Sequence, residues 1–219
     1  MISLARIRSA RTLLTLAAML FAVPALAQTQ QPAPATAPPA ATAPAAATPA
    51  PTVDATAGLA AWEKVYAVLS HPRCANCHVE DDHPRWSGKT TSDNPRFHAF
   101  NVQRGADGFG NPGLRCGTCH FDNNSNTLNG PPGAPKWHLA PKEMVWFGRS
   151  SAEICAQIKD PARNGNRTPQ EVADHITHDK LVLWGWAPGP GREPPPGSAQ
   201  ETYDELEKWM AAGTPCPAN

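Results

Sequence analysis

The sequence predicts a mainly α domain with extensive irregular loops, and three observations carry that prediction. Four segments have apolar residues at helical spacing, three of them opening on a capping signature. Residues 58–219 hold 17 of the chain's 25 prolines in many short runs, which opposes long helices and broad sheets. The pattern Cys-x-x-Cys-His occurs twice, as Cys74-Ala-Asn-Cys77-His78 and Cys116-Gly-Thr-Cys119-His120, giving a loop-rich chain two points at which to fold around a bound group.

Taken in order, residues 1–27 read as a secretory signal peptide. Arg6, Arg8 and Arg11 precede the apolar run Leu13 to Val23, and Pro24-Ala25-Leu26-Ala27 supplies an Ala-x-Ala cleavage site. The run is too short for a membrane span. Export past a bacterial inner membrane points to the periplasm, where disulfides persist. Residues 28–57 are almost wholly Ala, Pro, Thr and Gln and cannot bury enough apolar surface to offset chain entropy, which predicts a disordered linker. Residues 58–219 then suffice for one domain.

Within that domain, Leu59 to Leu69 place Leu59, Trp62, Val65, Tyr66 and Leu69 on one face, leading directly into the first Cys-x-x-Cys-His. Trp62 or Tyr66 is expected to pack on a prosthetic group or the nearby core. Ser150 and Glu153 form a capping box ahead of Ile154, Cys155 and Ile158, with Pro161 ending the helix. Thr168-Pro169-Gln170-Glu171 opens a helix carrying Val172, His175 and Ile176. Ser198 and Glu201 open the last helix, with Tyr203, Leu206, Trp209 and Met210 as its apolar stripe and Gly213 beyond its end.

Charge excludes little. The chain has 19 basic and 19 acidic residues; loss of a leader with three arginines leaves 16 against 19, a net of −3. Nothing in that balance suggests nucleic acid, and docking to a protein partner depends on local patches.

The chemistry sits in the two cysteine motifs. In Cys-x-x-Cys-His the two thiols are spaced to bond the two vinyl groups of one haem, and the adjoining imidazole becomes the proximal iron ligand. Cys74, Cys77, Cys116 and Cys119 are therefore candidates for covalent attachment of two haem c groups, with His78 and His120 as proximal ligands. A structural zinc site or a thioredoxin-like redox pair uses the same cysteine spacing, but zinc requires no histidine after each pair, and a redox motif calls for a βαβ context. Two haems would supply much of the apolar core that so proline-rich a chain lacks, giving a haem-nucleated, cytochrome c-like domain.

The remaining histidines and methionines compete for the far side of each iron. His98, flanked by aromatics in Arg96-Phe97-His98-Ala99-Phe100, Met144, after a proline-bounded loop, and His175, on an apolar helix face, are the candidate distal ligands. His138 is a weaker competitor, His71 and His83 read as solvated loop residues, His178 as surface and Met210 as core. Cys155 and Cys216 are left once the haem thiols are assigned, and in an oxidising compartment they are expected to pair; two buried thiols are the alternative. Gly105-Ala-Asp-Gly108-Phe-Gly110 reads as a turn. Arg104 is a candidate partner for a haem propionate or an exposed cation, and Trp184-Gly185-Trp186 either covers a haem edge or packs in the core.

The two motifs resemble those of c-type cytochromes. A longer likeness covers about residues 115–217 in four blocks: the second Cys-x-x-Cys-His; Gly133-Ala-Pro-Lys-Trp-His-Leu-Ala-Pro-x-x-Met144; Glu153-Ile-Cys-x-Gln-Ile-Lys-Asp-Pro161; and Leu181-Val-x-Trp-Gly-Trp-x-Pro-Gly189. These resemble small exported proteins labelled as isoquinoline 1-oxidoreductase subunits. That resemblance implies electron acceptance from a molybdenum hydroxylase outside the cytoplasm. The expectation is a periplasmic di-haem electron carrier between a donor dehydrogenase and a respiratory acceptor. The alternative is a di-haem peroxidase or related haem enzyme with one open iron position, and a third is a subunit whose haems only report redox state.

Overall fold

The computed structural model describes residues 54–87 and 95–218. The expected leader and residues 28–53 of the expected linker lie outside them. Asp54 caps the first described helix: its carboxylate accepts from the N–H groups of Thr56 and Ala57, both at 3.0 Å, and starts α1, Ala55–Leu69. The helix thus begins three residues inside the stretch assigned to the linker, because that assignment weighed composition and did not weigh the cap.

Four helices build one apolar core. Trp62, Val65 and Leu69 of α1 are fully buried and meet Leu206 and Trp209 of α5, Ala199–Ala211, with the two indoles 5.0 Å apart between centroids. The close approach requires Gly58, where a Cβ would lie 2.5 Å from that of Ala212. Trp62 therefore belongs to the side-chain core, and its Nε1 donates to Ser151 Oγ at 2.9 Å. Tyr66 instead reaches the Arg149 carbonyl with its hydroxyl at 3.2 Å. Helices α3, Ser151–Ile158, and α4, Pro169–His178, each open on a complete capping box, Ser150 with Glu153 and Thr168 with Glu171, and add Ile154, Ile158, Val172 and Ile176 to the core. Cys155 and Cys216 are disulfide-bonded across 61 residues, tying the C-terminal tail to α3.

The segment between α1 and α3 has another character. It contains the four-residue helix α2, Pro72–Ala75, and two minimal antiparallel ladders, β1 (Arg85–Trp86) with β2 (Arg96–Phe97) and β3 (Gly110–Asn111) with β4 (Leu114–Arg115). Its large apolar side chains are often exposed, Phe97, Phe100, Phe121 and Leu128 each by more than half. The described chain is thus helical in five places with little sheet, and both Cys-x-x-Cys-His stretches lie in the loop-rich part. No helix among the described residues is long and apolar enough to cross a membrane.

Truncating the central indole in Trp209→Ala is expected to cost about 3–5 kcal/mol by urea unfolding followed with circular dichroism, since little around a fully buried ring can collapse into the space. Cys216→Ser, which opens a long covalent loop, is expected to cost about 2–4 kcal/mol in the same assay.

Candidate functional site

The two motif histidines are held in the same way by unrelated pieces of chain. His71 caps α2 through its Nδ1, which accepts from the Arg73 N–H, and the turn that follows brings the His78 N–H to the Ala75 carbonyl at 3.1 Å. His78 Nδ1 then lies 3.2 Å from the carbonyl oxygen of Met144, and its ring stacks on Trp146 with centroids 3.5 Å apart and planes within 1°. The peptide N–H groups of Trp146 and Phe147 donate to the His78 carbonyl, fixing the stack from the backbone as well. At the second motif a single 3₁₀ turn, Cys116–Thr118, sets His120. Its Nδ1 lies 2.7 Å from the carbonyl of Pro132, and its ring stacks on Trp137 at 4.6 Å with planes within 2°.

A carbonyl oxygen can only accept, which places the proton of each ring on Nδ1 and leaves the Nε2 lone pair free. That is the arrangement of a metal-ligating histidine whose other nitrogen is held by a backbone carbonyl. Burial favours the neutral form. It is the largest cause lowering the His78 pKa to about 3, opposed by the bond to Met144 and reinforced by His175 and Arg104, and it also lowers that of His120. The two indole partners, Trp137 and Trp146, were not singled out as such by the sequence. Each closes a proline-containing loop downstream of the second motif, but nothing local says which ring it covers.

The four motif cysteines are free thiols. Burial first, and neighbouring thiols second, push Cys74 up to about 12 and Cys77 up to about 11, and burial likewise raises Cys116. Redox dithiols work by a lowered pKa, so this environment suits thiols that stay protonated rather than a thioredoxin-like pair. Among the described residues no three His, Cys, Asp or Glu side chains gather as a metal-holding group.

Two cavities adjoin the motifs. The larger, about 380 Å³, lies within the range of small-molecule sites and draws on both motifs: Cys77, Cys116, Cys119 and His120 line it, together with His98 and Trp137. Four arginines, Arg73, Arg85, Arg115 and Arg192, and no carboxylate stand among its described lining residues. The smaller, about 30 Å³, is lined by His78, Met144 and His175 among others. The candidate distal ligands are thereby sorted, His98 with the second motif and Met144 and His175 with the first.

His98 is brought across by the β1–β2 ladder, with its N–H on the Pro84 carbonyl at 3.0 Å. Its ring centre lies 5.8 Å from that of His120, and its Nδ1 is engaged by the Ala99 carbonyl at 2.9 Å, again leaving Nε2 free. An ion bound at about 2 Å by one nitrogen of each of two imidazoles separates the ring centres by about 6 Å. Around His78 the fit is less direct. Met144 gives its carbonyl to Nδ1, so its backbone lies on the side of the ring away from Nε2, and the residue also lines the small cavity. His175 sits 3.7 Å from Asp179 by its Nδ1 and remains about one-third exposed, with burial lowering its pKa.

Other expectations change on folding. His71 is not a solvated loop residue: it is 5% exposed, and its Nε2 is buried without a hydrogen-bond partner. His83 is half-buried with its ring edge-on to Phe97. Arg104 is buried rather than exposed: its guanidinium donates to the carbonyls of Val79, Asp81 and Ala140 and lies 3.6 Å from Asp82, while its Nε has no hydrogen-bond partner. His138 stacks on Phe109, and His178 is exposed beside Thr177. Trp184 lines the larger cavity edge-on to Trp137, while Trp186 packs against the helical core. Gly105 and Gly108 adopt positive φ in a turn, and backbone crowds Gly105 too closely to admit a Cβ.

Comparison with models of known protein families, with curated protein sequences and with solved structures finds no match for this chain.

Burial, and then Arg73, lower the His71 pKa from 6.5 to about 4, so the unfolded chain binds a proton below pH 6.5 that the native state refuses until about pH 4. Stability should therefore fall as pH drops through that window. His71→Asn keeps a good helix cap and removes the titration, and it should flatten the pH dependence of the urea midpoint between pH 6.5 and 4.

Proposed function

We propose that this protein is a di-haem c-type cytochrome that carries single electrons outside the cytoplasm, between a donor dehydrogenase and a respiratory acceptor. The observation that carries the reading is the repeated setting of His78 and His120, each with Nδ1 on a backbone carbonyl and its ring against a tryptophan, in a motif whose two cysteines are free thiols. Four unbonded thiols are what attachment requires, because adding each S–H across a vinyl group forms a C–S bond, sends the proton to the neighbouring carbon and consumes no oxidant. Cys74 and Cys77 hold one haem and Cys116 and Cys119 the other.

When bound, each haem supplies an iron that cycles between ferric and ferrous states at a potential set by its axial ligands and burial. The chain's part is to orient and tune. The carbonyls of Met144 and Pro132 fix the tautomer and raise the basicity of the proximal rings, and the stacked indoles hold their rotation. His98 and His120 would hold the iron at the second motif, and Met144 or His175 would join His78 in holding the iron at the first. Two histidines lower a haem potential and a methionine raises it. The donor implied by the resemblance is a molybdenum hydroxylase. A peroxidase would need a free sixth position, and the 5.8 Å approach of His98 to His120 argues against one at the second motif.

A pyridine haemochrome assay on the purified, exported protein should give two covalent haems per chain, and a count below two counts against the reading. His98→Ala should keep that count while converting one of the two low-spin signals in low-temperature electron paramagnetic resonance to high spin; an unchanged spectrum would remove His98 from the ligand set.

A further inference from the structure

Four arginines line the larger cavity, and they differ in what balances their charge. Arg85 makes a two-pronged pair with Asp81, and Arg115 makes one with Asp107. Arg73 donates its Nε to the Glu193 carbonyl. Arg192 is half-buried and bonded to neutral acceptors, the carbonyls of Gly130 and Pro188, and among the described residues no carboxylate pairs with it. A guanidinium removed from water keeps its charge at the cost of desolvation, and burial is the one cause that acts on its pKa, downward. Two carbonyls leave several of its five N–H donors for another acceptor.

Its placement is built into the chain. The loop 188–192 lies against the segment 124–131 that follows the second cysteine motif, with the Asn129 N–H on the Pro190 carbonyl at 3.1 Å. Gly189 and Gly191 both have positive φ, and a Cβ at either would lie 2.9 Å or less from Asn124 or Asn129. Positive φ favours glycine at both positions, and the Asn124 and Asn129 side chains occupy the space a Cβ would need. The carbonyl that receives Arg192, that of Gly130, is two residues before the one that holds His120. It therefore stands at the wall of the second haem site, facing a cavity whose described lining offers no negative charge.

We propose that Arg192 binds a carboxylate of the ligand in this cavity, a propionate of the haem attached at Cys116 and Cys119, through a charge-assisted hydrogen bond. This rests on the di-haem reading, and it assigns to Arg192 the role that sequence offered Arg104. A buried cation paired with the propionate cancels a negative charge close to the iron, and without it the ferric form is favoured.

The test is a potentiometric titration at pH 8 of fully loaded wild-type protein, Arg192→Gln and Arg192→Lys, with haem counted in each. Arg192→Gln should lower one of the two midpoints and leave the other in place, and Arg192→Lys, which keeps the charge, should restore most of the shift. Equal displacement by Gln and Lys would mean that Arg192 only ties the loop to Gly130, and unchanged midpoints in Arg192→Gln would mean that it holds no carboxylate; either overturns the proposal. A haem count below two in the wild type would instead defeat the reading on which it rests.

Discussion

Each motif histidine has one nitrogen committed to a backbone carbonyl and one face committed to an indole, and the loop-rich half of the molecule is arranged to make those two contacts possible. An imidazole alone on a loop has free rotation and two tautomers. The carbonyls of Met144 and Pro132 select the tautomer, and Trp146 and Trp137 select the rotation. Both partners of the first histidine come from beyond the second motif, some 66 residues downstream. The segment after the first motif in turn carries His98 to the second histidine. The two sites are interlocked, so neither is complete in a fragment holding only its own cysteines.

The molecule divides its sources of order accordingly. Helices α1, α3, α4 and α5 bury their own apolar side chains around Trp62 and Trp209 and are closed by a disulfide. Between α1 and α3 the ladders are two residues long, several phenylalanines are exposed, and the larger cavity separates walls that elsewhere would touch. Short ladders of this kind contribute little by themselves.

Much of the helical frame was legible in sequence, since capping boxes and apolar spacing are local signals: Ser150 with Glu153 and Thr168 with Glu171 open helices α3 and α4, and Ser198 caps α5. The start of α1 was misplaced, because a single carboxylate at Asp54 outweighed a linker-like composition. The burial of His71 and Arg104 was not legible for one reason. Both follow or precede loop sequence that looks solvated, and burial depends on what the distant chain lays over them: for Arg104, the carbonyls of Val79 and Ala140.

The sequence by itself determined the candidate attachment points, Cys74, Cys77, Cys116 and Cys119, and the histidines beside them, because that chemistry is encoded in five contiguous residues. Only the tertiary structure decided which side chains share a cavity with each histidine. It set His98 near His120, Met144 and His175 near His78, and Arg192 in the wall of the larger cavity. These pairings span tens of residues and depend on glycine-permitted backbone contacts, backbone carbonyls and ring stacking. None of those leaves a periodicity in the chain, because a carbonyl is present at every residue and acquires a role only when folding brings a donor to it.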